Sequence, residues 1–369
     1  MHKVTFYPIG NADCCLIETE QGKLILVDYA NMRDQNDDAD VRIDLENAIR
    51  NKVEAAKRND IDVQVFTHGD NDHYKGFSEL FYLEHAAKYQ SDERIKLNEI
   101  WVPAAIISDG DLEDEGKILR AEARYRLKNK KGIRVFSRPE TLKSWFDNEG
   151  LDINEYSDFF VDAGKLVPGF DLQTDGIEFF VHSPFALRQD DGTLVERNEC
   201  SIVMQVCLRN AEHISKLMLS ADTTWEAWEE IVNITKYHMN NFRLNYDAFK
   251  LPHHCSYLSL SDEKGSEKTK PKENVDWIFN QANPGAKIVA TSDPIPCGDT
   301  DQPPHRQAAN YYKDLMKNFD GEFIVTMEFP KVSKPEPIEL TFEESGMTLI
   351  KSSYGAGPYI SSKKSPRAG

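Results

Sequence analysis

The sequence has no stretch approaching about 18 uncharged apolar residues, so no membrane-spanning helix is expected. It is poor in cysteine. Six residues, at 14, 15, 200, 207, 255 and 297, form no CxxC pair, which argues against a disulfide framework and for free thiols in a reducing, cytoplasmic setting. It is short of positive charge. Lys and Arg number 44 against 62 Asp and Glu, a net charge of −18, which excludes a generally basic nucleic-acid coat but leaves room for a local basic groove. The opening Met1-His2-Lys3-Val4-Thr5-Phe6-Tyr7 has no signal-peptide pattern and enters strand-like alternation directly. No internal repeat is present, and 40% hydrophobic with 29% charged residues excludes wholesale disorder.

What is there alternates between strand and helix patterns. Residues 3–28 read as short strands, 41–57 as an amphipathic helix and 61–66 as a buried strand. A helix is expected over 76–88 and a charged helical insertion over 111–155. Strands return at 177–182, 200–208, 216–221, 287–292, 322–328 and 337–343, with helices at 224–236 and 306–318. The class is therefore α/β or α+β, in one domain over 1–355, with a flexible tail at 356–369.

The chemistry concentrates at strand ends. His68-x-Asp70-x-Asp72-His73 puts four metal-ligand types within six residues, directly after an apolar strand. Imidazole with carboxylate suits Zn²⁺, Mn²⁺ or Fe. Asp222 ends another apolar strand, His253 and His254 end a third, Asn198 precedes a fourth, and His305 opens a late helix. Singly, each is as well explained as a cap or turn residue. Five of the ten histidines fall in these clusters, which argues for one convergent site.

A second pattern bears on substrate. Residues 120–138 hold Arg120, Arg124, Arg126, Lys128, Lys130, Lys131, Arg134 and Arg138 against only Glu122, with Tyr125 and Phe136 interleaved as candidate base-stacking rings. Lys264, Lys268, Lys270 and Lys272 follow the paired-histidine loop. Together they suggest a phosphodiester or nucleic-acid partner. The alternative is a solvated helix face or a docking surface for an acidic protein.

In the order of its motifs the sequence resembles the metallo-β-lactamase superfamily, and within it the hydrolase domain of the bacterial competence DNA-uptake channel protein (the ComEC-like branch). That branch has HxDxDH, matched by His68 to His73; a VGxGD-like turn, matched by Ile9 to Asp13; and an LIDxG-like strand end, matched by Leu26 to Ala30. Its NxxSLV, TGD and KxPHHGS motifs resemble Asn198 to Val203, Ser220 to Asp222 and Lys250 to Ser256, and its late SxG…HP segment is echoed at Thr291 to Asp293 and Pro304-His305. Cys255, Ala12, Ala30 and the run Tyr74-Lys75-Gly76 depart from the pattern.

The resemblance implies a four-layer αββα sandwich with a dinuclear site at one edge. His68 and Asp70 would serve one ion, Asp72, His73 and His254 the other, with Asp222 bridging. Asn198 stands where the family has a further histidine, and His182 is an alternative. The three carboxylates leave less excess positive charge than an HxHxDH site would, so Mn²⁺ rivals Zn²⁺. Asp72 would orient the attacking hydroxide, and His253, beside Lys250, would serve the departing oxygen. Arg124, Arg126, Lys128, Lys131, Ser256 and His305 are the candidate substrate contacts. The leading expectation is a metal-dependent phosphodiesterase, as a nuclease. The alternatives are a small-ester or phosphocholine-type hydrolase, or an effector or scaffold subunit of a bacterial defence system, docking through 111–155.

Overall fold

A computed structural model describes residues 1–185 and 200–350. Asn198 and the tail at 356–369 lie outside the described residues.

The first sheet begins with β1 (His2–Phe6), β2 (Cys15–Glu18), β3 (Leu24–Val27), β4 (Asp60–Val65), β5 (Phe81–Tyr82), β6 (Ile95–Pro103), β7 (Ile133–Phe136) and β8 (Phe160–Val161). The second holds β9 (Ile177–Ser183), β10 (Val203–Asn210), β11 (His213–Leu219), β12 (Tyr246–Lys250), β13 (Ala282–Ala290) and β14 (Glu322–Val325). The chain then returns to the first sheet with β15 (Ile338–Glu343) and β16 (Gly346–Ile350), on the outer side of β1.

Period-two burial explains why the sheets stack. Val4, Phe6, Ile17, Ile25, Val63 and Val65 of the first sheet meet Phe179, Val181, Met204, Val206, Leu217 and Leu219 of the second in one apolar layer. Trp101 of β6 anchors that layer, edge-on to Phe179 at 5.1 Å and to Phe170 at 5.6 Å. The opposite face of the first sheet, with Leu16, Leu24 and Leu26, is covered by α1 (Leu45–Ala55), α2 (Phe77–Leu80), α3 (Ala104–Ser108), α4 (Asp114–Lys128) and α5 (Glu140–Asn148). In α1 the buried residues Leu45, Ile49 and Val53 recur every fourth position, and the Asp44 side chain caps the first turn. The outer face of the second sheet is covered by α6 (Trp225–Tyr237), α7 (Glu273–Phe279) and α8 (Arg306–Lys317), through Trp228, Ile231, Phe279, Tyr312 and Leu315. Three apolar layers between two sheets and two helical coats make the four-layer αββα sandwich.

Two expectations about elements are corrected. The helix foreseen over 76–88 stops at Leu80, and Phe81–Tyr82 pairs with β6. The cause lies downstream: the Glu122 carboxylate accepts the backbone N–H groups of Glu84 and His85, which a longer helix would have used internally. The segment 111–155 is no appended insertion, because β7 sits inside the first sheet, parallel to β6 and β8. Leu119, Ala123 and Leu127 bury the inner face of α4. Arg126 is buried with them, donating to Glu122 at 2.7 Å and to the carbonyls of Leu97 and Gly132, both at 3.0 Å.

Arg126→Met should therefore destabilise the fold by about 3–5 kcal/mol, because it strands the Glu122 carboxylate inside the protein. Denaturant titration checks this, and a loss below about 1 kcal/mol would show that Glu122 finds other compensation.

His182 gives a pH prediction. Its ring lies on the outer face of β9, where Nε2 donates to the Arg243 carbonyl at 3.0 Å. Burial disfavours the imidazolium and lowers its pKa from 6.5 to about 4. The unfolded chain takes up this proton near pH 6.5, so stability drains away as the pH falls from about 6.5 to about 4. Between pH 7 and pH 5 the parent should lose about 2 kcal/mol more than His182→Gln. Equal losses in urea titrations at the two pH values would assign the acid sensitivity elsewhere.

Candidate metal centre

The site is assembled at the C-terminal ends of strands, where parallel neighbours stop together. β3 and β4 are parallel in the first sheet, as are β11, β12 and β13 in the second. The loop after β4 carries His68, Asp70, Asp72 and His73, the last two in a short 3₁₀ turn. The loop after β11 carries Asp222, and the loop after β12 carries His253 and His254. His253, His254 and Cys255 all adopt left-handed backbone, with φ of 47°, 50° and 66°. Such a run costs side-chain-bearing residues energy and sharply reverses the chain, which turns His254 back over the strand ends.

Asp72, His73, Asp222 and His254 offer ligand atoms that all lie within 4.8 Å of one another. His254 Nε2 is 3.1 Å from Asp72 Oδ2 and 3.6 Å from Asp222 Oδ2, and His73 Nε2 is 3.4 Å from Asp222 Oδ1. His68 packs its ring 3.8 Å from that of His73, with its Nε2 3.5 Å from Asp70 Oδ2.

The other ring nitrogens are already taken. His73 Nδ1 donates to Asp28 Oδ2 at 2.8 Å, and His254 Nδ1 donates to the Thr291 carbonyl at 2.8 Å. Thr67 Oγ1 gives its proton to Asp28, so it accepts from His68 Nδ1 at 3.1 Å. In the neutral state all three imidazoles thus present an unprotonated Nε2. The Nε2 atoms of His68 and His73 and Asp222 Oδ1 are buried and make no hydrogen bond. Nitrogen and carboxylate lone pairs converging without protein donors fit a divalent cation.

Electrostatics agree. Burial alone would push His254 down, yet Asp222, Asp72 and Asp13 outweigh it and raise its pKa to about 9. Burial likewise opposes the charge on His73, and Asp28, Asp222 and Asp72 raise it well above its ordinary value. Asp222 is held well below the carboxylate range by His254 and His73, against its own desolvation. Protons on the histidines and a cation between them answer the same excess of negative charge, so they compete.

The remaining expected residues are placed differently. Lys250 does not face the mouth; it is buried behind Asp222, ion-paired with Asp13, which removes it from contact with substrate. Ser256 is buried, and its Oγ accepts the Leu258 N–H to cap a turn. His305 is buried, accepting the Tyr257 N–H through Nδ1 at 3.3 Å. These two shape the paired-histidine loop rather than a substrate surface. His182 points away from the site, towards α6. His253 is partly buried beside His254, with Nδ1 unpartnered.

Six of the eight cations of the basic segment are paired with carboxylates in space. Arg120 and Arg124 donate to the carbonyls of Asp109 and Ile107, and Arg126 is buried on Glu122. Lys128 pairs with Glu149, Lys130 with Glu155, Lys131 with Glu84, Arg134 with Glu99 and Arg138 with Asp162. Phe136 is fully buried between the sheets and cannot stack on a base. Lys264, Lys268 and Lys272 pair with Asp299, Asp314 and Asp262. Of the expected substrate contacts, Arg126, Lys128 and Lys131 are ion-paired within the chain, and Arg124 is bound to the Ile107 carbonyl.

Sequence reasoning gave no role to Asp13, Asp28, Thr67 and Thr291, which orient the ligands. Their signal was place in the motifs: Asp13, Asp28 and Thr291 lie in the matched segments, and Thr67 directly precedes His68. Asp13, Asp28 and His73 also form a close group, but Asp28 is spent on the Thr67 N–H, Thr67 Oγ1 and His73, and Asp13 on Lys250 and Thr291.

No protein-family profile matches the chain, and no characterised protein matches it in sequence. In structure it is similar to a diphosphatase from the PhnP family, at 11% identity and a TM-score of 0.36, over 93% of this chain and 98% of that one. It is similar to a long form RNase Z from yeast, at 11% identity and a TM-score of 0.39, over 86% of this chain and 44% of that one. It is also similar to BJP-1, a subclass B3 metallo-β-lactamase of Bradyrhizobium japonicum, at 15% identity and a TM-score of 0.30, over 75% of this chain and 90% of that one.

Replacing Asp28 with Asn should weaken divalent-ion binding about 10–100-fold while the fold persists, because it removes the carboxylate that fixes the His73 tautomer. Asp222→Ala should abolish tight binding outright. Competition against a chromophoric chelator measures both; parent-like affinity in Asp222→Ala would remove that residue from the ligand set.

Proposed function

We propose that the chain is a divalent-metal-dependent hydrolase of phosphodiester bonds, with a nuclease as the narrower form of that reading. The observation that carries it is the set of imidazoles with Nδ1 occupied and Nε2 turned, with Asp72 and Asp222, towards one point. His73, His254, Asp72 and Asp222 would hold one ion, and His68 and Asp70, sharing Asp222, a second. When bound, such ions supply Lewis acidity towards a phosphoryl oxygen and a hydroxide source near pH ~7. An oxygen-rich ligand set suits hard ions such as Mn²⁺ as well as Zn²⁺.

The protein's own residues would do the rest. Asp72, less buried than the histidines around it, would accept a hydrogen bond from the attacking water and orient it. His253 would pass a proton to the departing alkoxide. Burial lowers its pKa and keeps it a ready proton donor once charged, while Asp222 and Asp72 pull the other way. Asp28, Thr67 and Thr291 hold the ligand rings still.

The internal pairing of the 120–138 cations favours a compact phosphodiester over a long polynucleotide drawn along a groove. Activity assays of metal-free and Zn²⁺-, Mn²⁺- or Mg²⁺-loaded protein on a chromogenic diester, single-stranded DNA, RNA, duplex DNA and cyclic dinucleotides test both forms. Metal-dependent turnover of the small diester is expected, falling at least 100-fold in His254→Ala. Reversing Lys128 and Lys131 to Glu should change cutting of an oligonucleotide less than about threefold, since each already faces a carboxylate. Loaded protein that turns over no diester would refute the hydrolase reading, and a charge reversal that abolishes oligonucleotide cutting alone would restore the patch as a polymer track.

A further inference from the structure

We infer that Asp13 and Lys250 form an inter-sheet positioning pair that sets the two halves of the metal site in register, so that ion affinity depends on two residues that do not touch the ion. The inference rests on the metal-binding part of the reading above and is independent of which bond is hydrolysed.

The site is divided between sheets. Asp72 and His73 ride on the first sheet, and Asp222 and His254 on the second. Asp13 is fixed to the first half by its backbone, whose N–H donates to the Asp72 carbonyl at 3.1 Å. Lys250, the last residue of β12, reaches from the second sheet to the Asp13 carboxylate. The same ammonium donates to the carbonyl of Ala221 at 3.0 Å, one residue before Asp222, and lies 3.9 Å from Asp222 Oδ1. Thr291 completes the link: its Oγ1 donates to Asp13 Oδ1 at 2.5 Å, and its carbonyl holds His254 Nδ1. Asp13 is therefore one bond from the loop of Asp72 and two bonds from each of the two second-sheet ligands.

Stability alone does not account for such a pair. Both side chains are only 5–6% exposed, and a buried ion pair gains little over well-packed neutral groups of similar volume. The pair is also neutral overall, so removing both charges leaves the net charge of the site unchanged. What it supplies is a directional tie across the apolar layer, whose own contacts are non-directional. A ligand set needs positions good to about half an ångström, which sliding sheets do not provide.

The deciding variant is Asp13→Asn/Lys250→Met, which removes the tie without leaving an orphan charge. Metal-free parent and variant are compared by thermal melting, by Zn²⁺ and Mn²⁺ titration against a chromophoric chelator, and by the visible spectrum of the Co²⁺-loaded forms. We expect a folded variant with affinity at least tenfold weaker and a shifted Co²⁺ spectrum. Affinity within threefold of the parent, with an unchanged spectrum, overturns the inference. Should the double variant fail to fold, Thr291→Val decides: it keeps both charges and loses one anchor, and affinity reduced about threefold or more supports the tie while parent-like affinity refutes it. Parent protein that binds no divalent ion removes the metal site and this inference together. Parent protein that binds ions but hydrolyses no diester removes only the hydrolase reading.

Discussion

Four carboxylates, Asp13, Asp28, Asp72 and Asp222, crowd into one corner of the sandwich where three of them have almost no contact with water. Like charges at this spacing cannot stay ionised in a low-dielectric interior without positive charge among them. The structure answers with a buried ammonium, Lys250, held charged by Asp13 and Asp222 against the pull of burial, and with histidines whose proton affinity is raised by the same carboxylates. Both the chemistry and the local backbone follow from that demand. A corner that must hold cations in a fixed arrangement is already most of a metal centre.

The backbone accepts strain to build it. Asp28, Ala221, His253, His254 and Cys255 all have positive φ, and every one lies at the end of a strand that feeds the site. None is glycine. The apolar layer between the sheets fixes those strands so firmly that the turns beyond them can be held in costly conformations. Cys255 shows the trade most directly, since its left-handed backbone would suit glycine but its side chain packs into the core under α8.

Much of this was legible in the sequence, because strand-end clustering survives as local pattern. His68, Asp70, Asp72, His73, Asp222 and His254 could be singled out as candidates without a structure, since apolar runs ending in ligand-type residues are short-range signals, and the fold brings Asp72, His73, Asp222 and His254 together. The sheets were legible for the same reason in part, although β5, β6, β7, β8 and β16 were missed and α2 was overextended. The ties between sheets were not. Asp13 and Lys250 are separated by 237 positions, and although each stands in a matched motif, nothing local in the sequence pairs one with the other. The alternative ligand His182 falls away because one position along a strand reverses the face: Val181 enters the inter-sheet layer and His182 leaves it.

The basic segment 120–138 looks different in space from how it looks along the chain. Charge counted along the chain assumes that neighbours in sequence are neighbours in space. On α4 and β7 the cations point in several directions, and Glu84, Glu99, Glu149, Glu155 and Asp162 are brought to them by other elements. Six of the eight cations thereby become a rim of ion pairs that ties α4, β7 and β8 to their neighbours, and Arg120 and Arg124 are held on backbone carbonyls. In a chain carrying −18, acidic residues are plentiful enough that any cluster of cations meets partners during folding. A cluster left unpaired would have been the stronger sign of a polyanion track.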